Sequence, residues 1–180
     1  MADAFELAEL ISSAEAVPAS GWVAGVSASF AAALVAKAAS RSEGWSDSAG
    51  ARAQAVDLRD RLLALAVRDA QAYESALDAL ERREHDLGGA LATAADVPLA
   101  LAEAAADVAL LAADATERAD GAARADAAAA AALAAGAARA AAKLVAINLS
   151  TQPGDERIAA AERAVDTADD AARQALVAEI

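Results

Sequence analysis

Apolar positions along this chain recur every three or four residues, and the polar positions between them gather at a few breaks. That period belongs to amphipathic helices, and no segment carries the convincing alternation of a half-buried strand. The clearest stripe is Leu58, Leu62, Leu65, Ala72, Ala76 and Leu80, which predicts a long helix from a cap among Ser46, Asp47 and Ser48 to about Arg82. A short helix near Asp3 to Ser12 ends before Val17-Pro18-Ala19-Ser20, and a second runs from about Gly21 to Ser40. Gly88 and Gly89 weaken a short fourth helix, while Asp96-Val97-Pro98 predicts a cap and an early proline for a fifth that reaches about Arg118. Asp120-Gly121 marks the turn into an alanine-dense helix to about Leu149; Gln152-Pro153-Gly154 ends it, and Asp155 is placed to cap a last helix to Ala178. The pattern predicts an all-α, up-and-down bundle of roughly six or seven alanine-rich helices in a single domain spanning the chain.

Composition sharpens this picture. Hydrophobic residues make up 58% of the chain but aromatics only 3%, with alanine by far the commonest residue. Alanine loses no side-chain rotamers on helix formation, whereas strands favour β-branched and aromatic residues. It also buries little surface, so the helices must approach closely, and a core this thin favours oligomerisation. The net charge of −13 repels phosphate backbones and argues against nucleic-acid partners. Absent cysteine rules out disulfides, thiolate metal sites and a cysteine nucleophile. The apolar run Gly21 to Ala36 is too short to span a bilayer, and Arg139 and Lys143 interrupt the longer run Ala127 to Leu149, so buried helices in a cytoplasmic protein are expected rather than membrane spans.

A few polar residues stand out against this background. Asp69 lies within the apolar stripe, where an ionised, unpaired carboxylate is costly; it needs an arginine, partial solvent or a chemical purpose. Asp126 sits in the first turn of the alanine-dense helix, where the helix dipole favours an acid without any function. Asn148 lies near the end of the same helix, 22 positions on. At about 1.5 Å per residue the two stand roughly 33 Å apart, so they cannot share a compact pocket within one chain. Arg139 and Lys143 share a helix face and suit either an anionic ligand group or neighbouring surface acids. Trp22 and Trp45 are candidate core or interface anchors. The single histidine, His85, falls in a charged connector, and no second histidine supports a metal site.

Several segments in order resemble the cyclodeaminase/cyclohydrolase family of folate one-carbon enzymes. They are Pro18, Gly21, Val23 and Ala24 with Ala31 to Val35; Asp69-Ala70-Gln71-Ala72-Tyr73; Val97-Pro98-Leu99; Asp126; and Val145-Ala146-Ile147-Asn148-Leu149. The resemblance covers nearly the whole chain. It implies an all-helical homodimer that hydrolyses the methenyl bridge of tetrahydrofolate or closes a formimino group with loss of ammonia. The folate-like molecule is then the substrate, with no separate cofactor. On this resemblance Asp126 and Asp69 are the catalytic candidates, and Pro18, Gly21, Arg139, Lys143 and Asn148 the ligand-binding ones. The chain departs from the family's polar pattern at Ala19, Ser20 and Trp22, at Ala122 and Ala125, and at Leu144. The alternative these departures raise is a non-catalytic binding or scaffold protein on the same fold.

Overall fold

The computed structural model describes residues 4–81 and 87–177. Within them lie seven α-helices and no strand: α1 (Ala4–Ser12), α2 (Ser20–Ser40), α3 (Ser48–Glu81), α4 (Leu87–Ala94), α5 (Asp96–Arg118), α6 (Ala123–Asn148) and α7 (Glu156–Val177). His85, its charged connector and the side chain of Leu80 lie outside the described residues.

The five long helices form the bundle. α5 packs along α6, α2 along both α3 and α6, and α7 along α5 and α6, with α3 closing against α5. Short connections join α2 to α3, α5 to α6 and α6 to α7. α4 leans on α3 and touches α5 and α6 only thinly, and α1 packs against no other helix of the described chain.

Alanine dictates this arrangement. Ala31, Ala32 and Ala38 of α2, Ala105, Ala109 and Ala112 of α5, and Ala130, Ala131, Ala134 and Ala138 of α6 are all buried. Each contributes only a methyl group, so stabilisation comes from many close helix contacts rather than from large side chains. Leu58, Leu62 and Leu65 of the predicted stripe supply the bulk from α3, and Trp45 inserts from the α2–α3 connection as a core anchor.

α2 extends to Ser40, beyond the apolar run counted to Ala36. Its 21 residues, like the 26 of α6, are therefore long and apolar enough to cross a bilayer, so the expectation from length is overturned for α2. What distinguishes both is their position inside the bundle, where each presents a buried alanine face to its neighbours.

The helix ends are tied by polar contacts. Asp120 Oδ2 accepts from Gly44 N–H at 2.9 Å, and its own N–H donates to Ser42 Oγ at 3.0 Å, which fastens the α2–α3 connection to the α5–α6 turn. Gly121 follows at φ +44, a left-handed conformation that glycine adopts without a Cβ clash. Asp96 does not cap α5 from outside. Ala95 before it is helical (φ −73, ψ −20), so α4 runs almost directly into α5 and Asp96 becomes a first-turn residue.

Ala131 is fully buried in this core, so Ala131→Leu is expected to destabilise the fold by about 1–3 kcal/mol through overpacking. Urea unfolding of the two proteins checks this; equal midpoints would show that the seam has slack.

Candidate functional site

The N-terminus of α2, the middle of α3, the α4–α5 corner and the C-terminal turns of α6 enclose a cavity of about 250 Å³. Its walls are mostly apolar, with Ala72, Ala76 and Leu77 from α3, Leu91, Ala94 and Pro98 from the corner, and Leu144 and Ile147 from α6. Polar groups are few: Ser20, Asp69, Tyr73 and Asn148. A mostly apolar cavity with a handful of convergent polar groups is the common form of a small-molecule site.

Asp69 is the centre of its chemistry. The residue is 8% exposed, and among the described residues no cation pairs with it and no donor bonds it. Burial pushes its carboxyl pKa above the ordinary 3.8. No fully buried side-chain oxygen or nitrogen of the described residues lacks a partner, so the unpaired carboxyl keeps its access through the cavity it lines.

Gly21 makes that placement possible. A Cβ on Gly21 would fall 2.1 Å from Asp69 Oδ2, so any side chain there would occupy the space the carboxyl fills. Gly21 lies in the first turn of α2. The first helical bond of α2 runs from Val23 N–H to Ala19 O, at 3.1 Å, and the earlier N–H groups have no helical acceptor. Burial, which favours the neutral acid, is what sets the direction of the Asp69 shift.

The structure therefore brings Asp69, Gly21 and Asn148 to one cavity from three helices. It does not bring the other sequence candidates there. Asp126, at the far end of α6 from Asn148, forms an ion pair with Lys37 at 2.7 Å. Arg139 pairs with Asp169 of α7. Lys143 is exposed one residue before cavity-lining Leu144. Pro18 lines a separate, wider groove between α2 and α6, together with Ile11, Leu133 and Gly136. Trp22 is half-buried and does not line the cavity.

Sequence reading passed over Ser20, Tyr73 and Leu91 as site residues. Tyr73 carried a signal, because it lies one turn after Asp69 and so on the same helix face. Leu91 carried none, since only the docking of α4 on α3 places it at the cavity.

The profile of the formiminotransferase-cyclodeaminase family matches residues 4–167. Among solved structures, the crystal structure of formiminotetrahydrofolate cyclodeaminase from Thermotoga maritima is similar to the chain. It superposes with a TM-score of 0.84 over 96% of this chain and 93% of that one, at 23% sequence identity. That likeness establishes the shared all-helical fold. Among proteins with curated descriptions, none matches the chain.

Because the Asp69 pKa is raised in the folded state, the native chain holds its proton to higher pH than the unfolded chain does. The sign follows from linkage: the carboxyl costs nothing below its unfolded pKa, and its cost appears as pH rises through the folded value. Asp69→Asn is thus expected to raise the melting temperature at neutral pH, with the gain fading as pH falls towards the ordinary carboxyl range. Thermal melts of both proteins across pH check this, and a gain that is constant with pH would remove burial of the charge as its cause.

Proposed function

The chain belongs to the formiminotransferase-cyclodeaminase family, and on that premise we propose that it is an enzyme acting on the amidine-like one-carbon unit of a tetrahydrofolate derivative. The observation that carries this reading is the unpaired Asp69 carboxyl lining an otherwise apolar cavity at the start of α2. Attack on an amidine-like carbon needs one group to take a proton from the nucleophile and to return one to the departing nitrogen. The Asp69 carboxylate takes the proton from attacking water, or from the ring-closing nitrogen. The resulting acid protonates the amine or ammonia that leaves.

The other residues divide the binding. The Asn148 amide offers a donor and an acceptor to the edge of a planar heterocycle, and Tyr73 offers a ring face and a hydroxyl. At about 250 Å³ the cavity lies below the roughly 300–1,000 Å³ of sites that engulf drug-sized ligands. It suits the ring system alone, leaving the anionic tail outside, and exposed Lys143, one residue before cavity-lining Leu144, is the cation we propose for it. Arg139 is committed to Asp169, and Asp126 to Lys37. The substrate supplies the one-carbon unit, so this chemistry calls for no further cofactor, and it belongs in the cytoplasm.

A second copy of the chain is the partner we propose. Among the described residues α1 packs along no other helix, and Phe30, Leu133 and Ile147 stand 58%, 47% and 53% exposed on α2 and α6. Leu133 lines the α2–α6 groove together with the small residues Ala132, Gly136 and Ala140. Apolar faces of this kind mark interaction surfaces.

Purified protein is expected to convert methenyltetrahydrofolate or formiminotetrahydrofolate, read as a change in near-ultraviolet absorbance. Asp69→Asn is expected to slow turnover by about 100-fold or more, the range for loss of a general acid–base. Turnover retained in Asp69→Asn and lost in Asp126→Ala would move the chemistry to the Lys37 end of the bundle. Neither turnover nor a folate-induced rise in melting temperature would leave the scaffold reading in its place.

Light scattering is expected to give twice the chain mass for the wild type and a single chain mass for Leu133→Glu, which sets a charge in the apolar face. A wild-type monomer overturns the dimer.

A further inference from the structure

We propose that Arg157 is a positioning residue of the cavity, acting from outside it by holding the α4–α5 corner in place; its effect on substrate rests on the folate reading above. The corner forms one wall, through Leu91, Ala94 and Pro98. α4 is a short helix that rests mainly on α3, and a single turn residue, Ala95, joins it to α5.

Arg157, in the first turn of α7, reaches this corner from the other side. Its Nη1 donates to Ala92 O at 2.7 Å and to Asp96 Oδ1 at 2.6 Å. The first acceptor is a last-turn carbonyl of α4, which also accepts the Ala95 N–H at 3.3 Å. The second is the first residue of α5. One guanidinium nitrogen therefore grips both sides of the α4–α5 joint.

The guanidinium is itself held. Asp155 accepts from Arg157 Nε at 2.9 Å through Oδ1 and from Nη2 at 2.8 Å through Oδ2. Such a forked pair fixes the orientation of the planar group, which a lysine cannot reproduce with a single ammonium. The arrangement holds over the working pH range, since Arg157 depresses the Asp155 pKa to about 2. Beneath the clamp a small apolar cluster of Ala95, Val145, Leu149 and Ala161 joins the corner to α6 and α7. Cavity residues Leu144 and Asn148 flank Val145 and Leu149 on the same α6 turns. The clamp thus sets the gap between the wall carrying Leu91 and the wall carrying Asn148.

The clamp can be separated from an ordinary capping role. Asp155 also accepts the backbone N–H of residue 157 at 2.9 Å, which caps α7. Arg157→Met keeps that N–H and so keeps the cap, removing only the reach to Ala92 and Asp96. Arg157→Lys keeps the charge and one donor group. Arg118→Met, which breaks an exposed ion pair with Asp114 far from the cavity, is the control.

Hydrogen exchange on the ligand-free proteins is expected to show amides of 87–99 exchanging faster in Arg157→Met, with the centres of α5 and α6 unchanged and Arg118→Met like wild type. In turnover, Arg157→Met is expected to raise KM by about tenfold with kcat little changed, the sign of lost ground-state positioning, and Arg157→Lys to recover part of it. Unchanged exchange across 87–99 overturns the clamp, whatever the protein binds. Faster exchange with KM unchanged overturns its link to the cavity. A wild type that neither binds nor converts folates sinks the folate reading instead, and the exchange result still decides whether the clamp exists.

Discussion

Contact between helix backbones across seams of alanine is the constraint on which this structure depends. A methyl group fills so little space that α2, α5 and α6 must lie close to bury anything at all, and Ala105, Ala109, Ala131 and Ala134 are sealed between them as a result. Larger side chains supplement the seam from several sides, with Leu58, Leu62 and Leu65 from α3, Leu101 from α5, and Trp45. Closely apposed helices keep their axes rigidly related over many turns, and that rigidity lets three helix segments distant in sequence present groups to one cavity.

The same economy of side chains explains why the cavity has the form it does. Where α2 begins, Gly21 carries no Cβ, and the Asp69 carboxyl of α3 occupies the space one would take. Most of the remaining wall is alanine, leucine or proline, which leaves the carboxyl without a cation and raises its pKa by desolvation. Asp126 illustrates the opposite environment. It sits half-buried in a helix's first turn with Lys37 paired to it at 2.7 Å.

A core of methyl groups offers little purchase to the helix ends, and these are secured by polar contacts instead. Asp120 ties two connections through Gly44 and Ser42 at one place, and Arg157 joins α7 to the α4–α5 corner at another. α1 carries Phe5 and Ile11 exposed, and Ile11 reaches the apolar groove between α2 and α6.

Much of this was legible in the sequence because helix formation is local. Alanine content and three- and four-residue spacing mark the long helices, the breaks at Pro18, Asp120-Gly121 and Pro153-Gly154 separate several of them, and the order of short segments points to the family. The position of Asp69 on an apolar stripe was enough to mark it as a residue in need of a reason. Its lack of a cation was not readable, because ion pairs here join residues far apart in the chain: Lys37 with Asp126, Arg139 with Asp169, Arg157 with Asp96. Nor was the meeting of Gly21, Asp69 and Asn148, or the wall that α4 adds through Leu91. Periodicity fixes which face of a helix is buried; which residues of other helices meet that face is set by packing alone, and only the folded chain decides it.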